Sequence, residues 1–221
     1  MRILLTGATG FIGSALYPKL VERGHEVFRL VRYTSRGLLH DAEKWLFADL
    51  RDADAVRLAV HKANPSVIIH LAAQSAVTYS FDHPGDVLDT NLRGTQAIAD
   101  AASQLDAVLI HASTSEVYGA AMKFPITEDE PLKATSPYAV SKIAAEEYIR
   151  MLKKSVGLKA VIVRPFNTYG RAFVGNSHFV VERAITQALK SDSINLSDVR
   201  PQRDFMFRED HVSGYLHMLE N

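Results

Sequence analysis

The chain is 221 residues long and 47% hydrophobic, with 25 basic side chains, 25 acidic ones and no cysteine. That length suits one domain or one and a half, with a core that needs no covalent staple. Without cysteine there can be no disulfide, thiolate metal ligand or cysteine nucleophile, and the balanced charge does not suggest nucleic acid or an anionic membrane as partner. No apolar run approaches the roughly 20 residues of a membrane span. The opening MRILLTGATGF is too short and glycine-rich for a signal peptide. A soluble, cytoplasmic α/β protein is expected.

Arg2–Thr6 is an apolar run closed by glycine and reads as a buried strand. Residues 11–23 have helical spacing and end at Gly24, with Pro18 expected to bend that helix. Strands are predicted at 25–31, 46–48 and 66–71, followed by a helix over 86–104 with Val87, Leu88, Leu92, Thr95, Ile98, Ala99 and Ala102 on one stripe. A strand over 107–111, a long helix over 137–156 and a sixth strand over 159–163 complete the alternation. Apolar strands alternating with helices indicate a doubly wound parallel sheet covered on both faces. After Pro165 the regularity is lost, with helices expected at 179–190 and 210–219 and a short strand near 193–196.

Directly after the first strand comes TGATGFIG, with Gly7, Gly10 and Gly13 spaced by three and Thr9, Phe11 and Ile12 between them. Backbone without a Cβ can turn tightly and approach a pyrophosphate, to which the following helix offers N–H groups. The strand before and the helix after supply the context of a dinucleotide-binding turn. The second strand ends in VRYTSR and lacks the acidic residue that would hold a ribose 2′-hydroxyl. Arg32 and Arg36 could instead embrace a 2′-phosphate, or simply be solvated. Between NAD and NADP the arginines favour NADP. After the third strand, Asp49 could accept from adenine's amino group, with Leu50 beside it; Asp49 could equally be a helix cap.

Tyr138 and Lys142 lie four residues apart in YAVSK and so share one helical face. An ammonium there is expected to lower the tyrosine pKa, so that the phenol can take a proton from a substrate hydroxyl. Nine histidines contain no H-E-x-x-H or comparable ligand set, and no catalytic metal is expected. His70 and His111 close buried strands and read as core residues.

With the glycine turn and STSEVYG (113–119) one strand earlier, the chain resembles the extended short-chain dehydrogenase/reductases, specifically the NAD-dependent epimerase/dehydratase family of nucleotide-sugar enzymes. The resemblance is carried in order by TGATGFIG, HLAAQSAV (70–77), NLRGT (91–95), STSEVYG, SPYAVSK (136–142), RPFNTYG (164–170) and RDF (203–205). It implies a Rossmann-type domain over 1–165 and the start of a substrate-binding lobe over 166–221. Leu71, Ala72, Ala73 and Pro165 would line the cofactor, and Asn91 would order the active-site helix. Tyr138 would begin oxidation of the sugar's carbon-4 hydroxyl, which Thr114 holds, and Lys142 would bind the nicotinamide ribose. Gln74, Ser75, Asn167 and Arg203 would face the nucleotide sugar.

Where simple 4-epimerases of the resembled family carry small residues, this chain has Ser115 and Glu116. That pattern is similar to the 4,6-dehydratases, particularly the GDP-mannose type. Once carbon 4 is a ketone, Glu116 can remove the acidified proton of carbon 5, and water is lost across carbons 5 and 6. Decarboxylases and some epimerases share the motif, so a 4-epimerase or decarboxylase is the alternative. The resemblance further implies a homodimer through residues 86–104 and 137–156. It also implies about a hundred further residues, so the substrate lobe is expected to be truncated. Arg171 stands where relatives have proline.

Overall fold

The computed structural model describes residues 1–34, 44–121, 123–170, 179–196, 200 and 202–220. They form two compact units, Met1–Arg164 and Pro165–Asn221.

The first unit is a six-stranded, all-parallel sheet in the order β3-β2-β1-β4-β5-β6. Its strands are β1 (Arg2–Thr6), β2 (Glu26–Val31), β3 (Trp45–Phe47), β4 (Val67–His70), β5 (Val108–Ala112) and β6 (Ala160–Val163). Side chains alternate between faces along a strand. Leu4, Ile68 and Leu109, which stand in register, join one apolar cluster with residues of the covering helices, while Leu5, Ile69 and Ile110 point away from it. The order reverses between β1 and β4, which opens a crevice at the strands' carboxyl ends where ligands bind in such sheets. This is the Rossmann-type arrangement.

The helices of this unit are α1 (Gly13–Glu22), α2 (Ala53–Ala63), α3 (Val77–Asp82), α4 (Pro84–Leu88), α5 (Gly94–Gln104) and α6 (Pro137–Ser155). α2 stands between β3 and β4, where no helix is expected from the sequence. Asp52, not Asp49, caps it by accepting from Ala55 N at 3.0 Å. Val56, Ala59, Val60 and Ala63 bury its apolar stripe. The helix expected over 86–104 is interrupted: α4 and α5 flank a π turn at Asp89–Arg93. None of the described helices is long and apolar enough to cross a membrane.

The second unit holds β7 (Asn167–Tyr169), α7 (Val180–Ala188), β8 (Phe205–Phe207) and α8 (Arg208–Met218), with β7 parallel to β8. The strand expected near 193–196 is absent. Backbone amides there go to side chains instead of a ladder: Ser193 N donates to Ser191 Oγ at 3.1 Å and Asn195 N to Gln187 Oε1 at 2.6 Å. Thr168 Oγ1 meets His211 Nδ1 at 2.8 Å and ties β7 to α8.

Candidate active site

The glycine turn closes β1 with Gly7 at φ +72, a region that disfavours a side chain. A Cβ on Gly7 would lie 2.8 Å from Ala72 N, and one on Gly13 would lie 2.1 Å from Gly7 O. The turn therefore closes on itself and on the segment after β4, with Gly10 N donating to Gly7 O at 2.9 Å. Thr9, Phe11 and Ile12 fill the turn half-buried, and no side chain caps the N-terminus of α1. An uncapped helix start behind a Cβ-free cradle fits a dinucleotide pyrophosphate.

Leu71, Ala72, Ala73 and Gln74 are half-buried beyond β4, and Ser75 is exposed. The π turn presents Asn91 to this segment. Asn91 Oδ1 accepts from Gln74 N at 2.7 Å, while Nδ2 donates to Gln74 O and to Ser141 Oγ, each at 3.0 Å. Leu50 is buried, and a Cβ on Gly94 would lie 2.8 Å from its Cβ.

A hydrogen-bond chain threads the same region and fixes a tautomer. Thr95 Oγ1 donates to Asn91 O at 2.6 Å, so it accepts from His70 Nε2 at 3.1 Å. Thr6 Oγ1 accepts from Ala72 N at 3.0 Å and donates to His70 Nδ1 at 2.8 Å. Burial, with the Lys142 charge second, drops the His70 pKa to about 3 and keeps the ring neutral. His111 stands beside it in register, ring centroids 5.4 Å apart, and neither of its nitrogens has a hydrogen-bond partner.

The candidate catalytic residues gather past β5 and at the start of α6. Ser136 caps α6 by accepting from Ala139 N at 3.1 Å, and Pro137 follows at the first helical position, which puts Tyr138 in the first turn. Thr114 caps the 3₁₀ turn Ser115–Tyr118 by accepting from Glu116 N at 3.2 Å. Thr114 and Tyr138 are each 7% exposed and Lys142 is 3% exposed, while Ser115 and Glu116 are half-buried. Lys142 Nζ donates to Ala112 O at 2.7 Å, and burial brings its pKa down to about 8 against the raising effect of Glu146.

The expected lowering of the tyrosine pKa by Lys142 is not what the protein alone provides. Burial pushes the Tyr138 phenol above its ordinary value; a hydrogen bond with Thr114 pulls it down and the Glu116 carboxylate pushes it further up. The physical reason is that burial and the Glu116 carboxylate, which both disfavour the phenolate, outweigh the Thr114 hydrogen bond that favours it. Thr114 and Glu116 thus lie close enough to Tyr138 to act on its phenol, with Lys142 one turn further along the same helix. Ser113, Ser141, Glu146 and Arg164, to which sequence reasoning gave no role, are found supporting them. The available signal was a carboxylate four residues beyond Lys142 on the buried side of a helix.

Other expected positions are engaged elsewhere or lie apart. Asp49 takes three hydrogen bonds from Arg51, at 3.0, 2.9 and 2.7 Å, which with burial opposing hold its carboxyl below its ordinary value. Arg32 is exposed, and its charge also acts on Asp49. Arg36 lies outside the described residues, and nothing supports the preference for NADP. Pro165, Asn167 and Arg203 belong to the second unit. There Asn167 N donates to Asp204 O at 3.1 Å, and Arg203 is exposed with Nη1 on Gln202 O at 2.8 Å.

Comparison with known proteins agrees with this geometry. The family model described as the NAD dependent epimerase/dehydratase family matches residues 3–221. A UDP-glucose 4-epimerase of Mycolicibacterium smegmatis is 35% identical over 228 aligned residues, covering 98% of this chain and 72% of the relative. The crystal structure of UDP-glucose 4-epimerase from Thermotoga maritima with UDP-glucose superposes with a TM-score of 0.90 at 28% identity, over 100% of this chain and 74% of that one. The dTDP-glucose 4,6-dehydratase from Streptomyces venezuelae with NAD bound gives a TM-score of 0.84 at 27% identity, over 100% and 72%. With the family model running nearly end to end, the chain belongs to the NAD-dependent epimerase/dehydratase family.

Proposed function

We propose that the protein is a nucleotide-sugar 4,6-dehydratase working with a retained NAD. The observation that supports this most is Glu116, a second acid–base group close enough to Tyr138 for its charge to act on the phenol. The Tyr138 phenolate takes the proton of the sugar's carbon-4 hydroxyl, which the Thr114 hydroxyl holds in place. Lys142 supplies a cation on the same helical face. The glycine turn and the segment after β4 would hold NAD, which would supply a hydride acceptor for carbon 4 and then a hydride donor for carbon 6, with no net consumption. With carbon 4 a ketone, the carbon-5 proton is acidic and the Glu116 carboxylate removes it. The carboxyl then passes that proton to the hydroxyl departing from carbon 6, which leaves as water. The proton held on Tyr138 balances the one carbon 5 regains, and the product is a 4-keto-6-deoxy sugar.

A 4-epimerase is the second reading, favoured by the names of the Mycolicibacterium relative and the Thermotoga neighbour. It would use Tyr138, Thr114 and Lys142 in the same way but return hydride to the opposite face of an intact sugar, with no work for Glu116. The NAD in the family's description supports NAD over NADP.

Incubating the protein with GDP-, UDP-, dTDP- and CDP-sugars and weighing the products tests both. A product lighter by one water supports the dehydratase, and an isomer of unchanged mass supports the epimerase. Glu116→Gln is expected to abolish water loss while carbon-4 oxidation, read as nicotinamide absorbance, persists. Equal loss of both steps would contradict the role given to Glu116.

A further inference from the structure

Glu146 lies within α6, one turn beyond Lys142, with a side chain that is 0% exposed. An unpaired carboxylate so deep would be costly, and an apolar side chain of similar volume commonly serves a core at least as well as a buried ion pair. This carboxylate is fully met. Ser113 Oγ donates to Oε1 at 2.5 Å, Arg164 Nε to Oε1 at 3.0 Å, and Arg164 Nη2 and Arg150 Nη2 each to Oε2 at 2.6 Å. Burial opposes ionisation, yet these hydrogen bonds and the two guanidinium charges hold its pKa below the ordinary value.

The partners of Glu146 bracket one short segment. Ser113 stands directly before Thr114, and Tyr118 closes the 3₁₀ turn that carries Ser115 and Glu116. Arg164 Nη1 donates to Tyr118 Oη at 2.9 Å, and the guanidinium lies 5.0 Å from the centroid of that ring. Both ends of the segment are therefore tied to a single carboxylate, one directly and the other through Arg164. Tyr138, Lys142 and Glu146 recur every four residues on the same helix.

We propose that Glu146 is a positioning residue that, with Arg164, sets the segment carrying Thr114 and Glu116 against the Tyr138–Lys142 pair. This rests on the roles given above to those four side chains. Both halves of the reacting set are referred to one rigid helix. A reacting group displaced by about 1 Å can lose roughly 100-fold in rate.

Ser113→Ala and Tyr118→Phe, singly and together, remove the hydroxyl hydrogen bond at each end of the segment and leave the Glu146–Arg164–Arg150 ion pairs in place, so the fold is kept. Two measurements are made on the full chain: amide exchange over residues 113–119, and kcat and KM on whichever nucleotide sugar is turned over. Exchange is expected to quicken at 116–119, and kcat in the double variant to fall by roughly 10- to 100-fold. KM stays within about twofold, as for interactions made only in the transition state. Ser113→Thr keeps a hydroxyl and restores both readouts. Unchanged exchange with unchanged kcat would overturn the proposal, as would losses of kcat that simply track a falling unfolding temperature. If the native protein turns over no nucleotide sugar, the proposed function fails, and the exchange measurement alone decides whether the tether exists.

Discussion

In the proposed reaction Tyr138 acts as a phenolate, and its surroundings act on its proton in opposite directions. Burial and Glu116 raise its pKa while Thr114 lowers it, and Lys142 falls to about 8. In the protein alone the usual order is therefore inverted, with the lysine losing its proton before the tyrosine. The phenolate–ammonium form is a minor partner within the singly protonated pair, and its share grows as the two values approach. On that basis kcat/KM is expected to rise with pH to about 8 and then level. Glu116→Gln removes the charge that holds the phenol up, so carbon-4 oxidation in single turnover should run faster, by up to about tenfold per pK unit gained. Slower oxidation would mean that Glu116 assists the first step. The spacing of Tyr138 and Lys142 was legible because a helix converts four residues into one face. The inversion was not, since it depends on burial and on the Ala112 carbonyl, 30 residues away.

The segment expected as one helix over 86–104 shows what an element adds beyond periodicity. Its apolar stripe is real, but the π turn at Asp89–Arg93 inserts an extra residue and swings Asn91 toward Gln74 and Ser141. Such turns recur at functional sites because they re-aim a side chain without breaking a helix. Asn91→Ala would leave the Gln74 amide and carbonyl without their partner at a partly buried site. An expected loss of about 1–3 kcal/mol is read from the urea midpoint, together with weaker retention of nicotinamide on purification. An unchanged midpoint would show that the two-way contact is dispensable. The long helix expected from residue 137 does begin there, at Pro137 of α6, because the marks of a helix start are local. β7 and β8 were not readable in advance, because parallel pairing between residues 167–169 and 205–207 leaves no mark on either short segment.

Across the whole molecule, the sheet centre carries two buried imidazoles side by side at the ends of β4 and β5. Burial, then the Lys142 charge, lowers the His70 pKa to about 3, and burial, Lys142 and His70 put His111 well below its ordinary value. Both rings are neutral in the folded state, whereas in the unfolded chain they take up protons below about pH 6.5. The unfolded state then binds more protons, so stability falls as pH drops from about 6.5 toward 3, by up to about 1.4 kcal/mol per pH unit for each ring. Since His111 has neither nitrogen paired, His111→Leu is expected to flatten that acid slope and add about 1–2 kcal/mol at neutral pH. Thermal unfolding between pH 7.5 and 5 checks this, and a less stable variant would mean the imidazole has a use. By itself the sequence determined the alternating strands and helices, the glycine turn and the Tyr138–Lys142 face, because each is written in spacings shorter than a few turns. Only the tertiary structure decided which carboxylate Ser113 and Arg164 share, which histidine is satisfied and which way Asn91 points. Those depend on burial and on partners far apart in the chain, such as Ser113 with Glu146 across 33 residues, which no local pattern encodes.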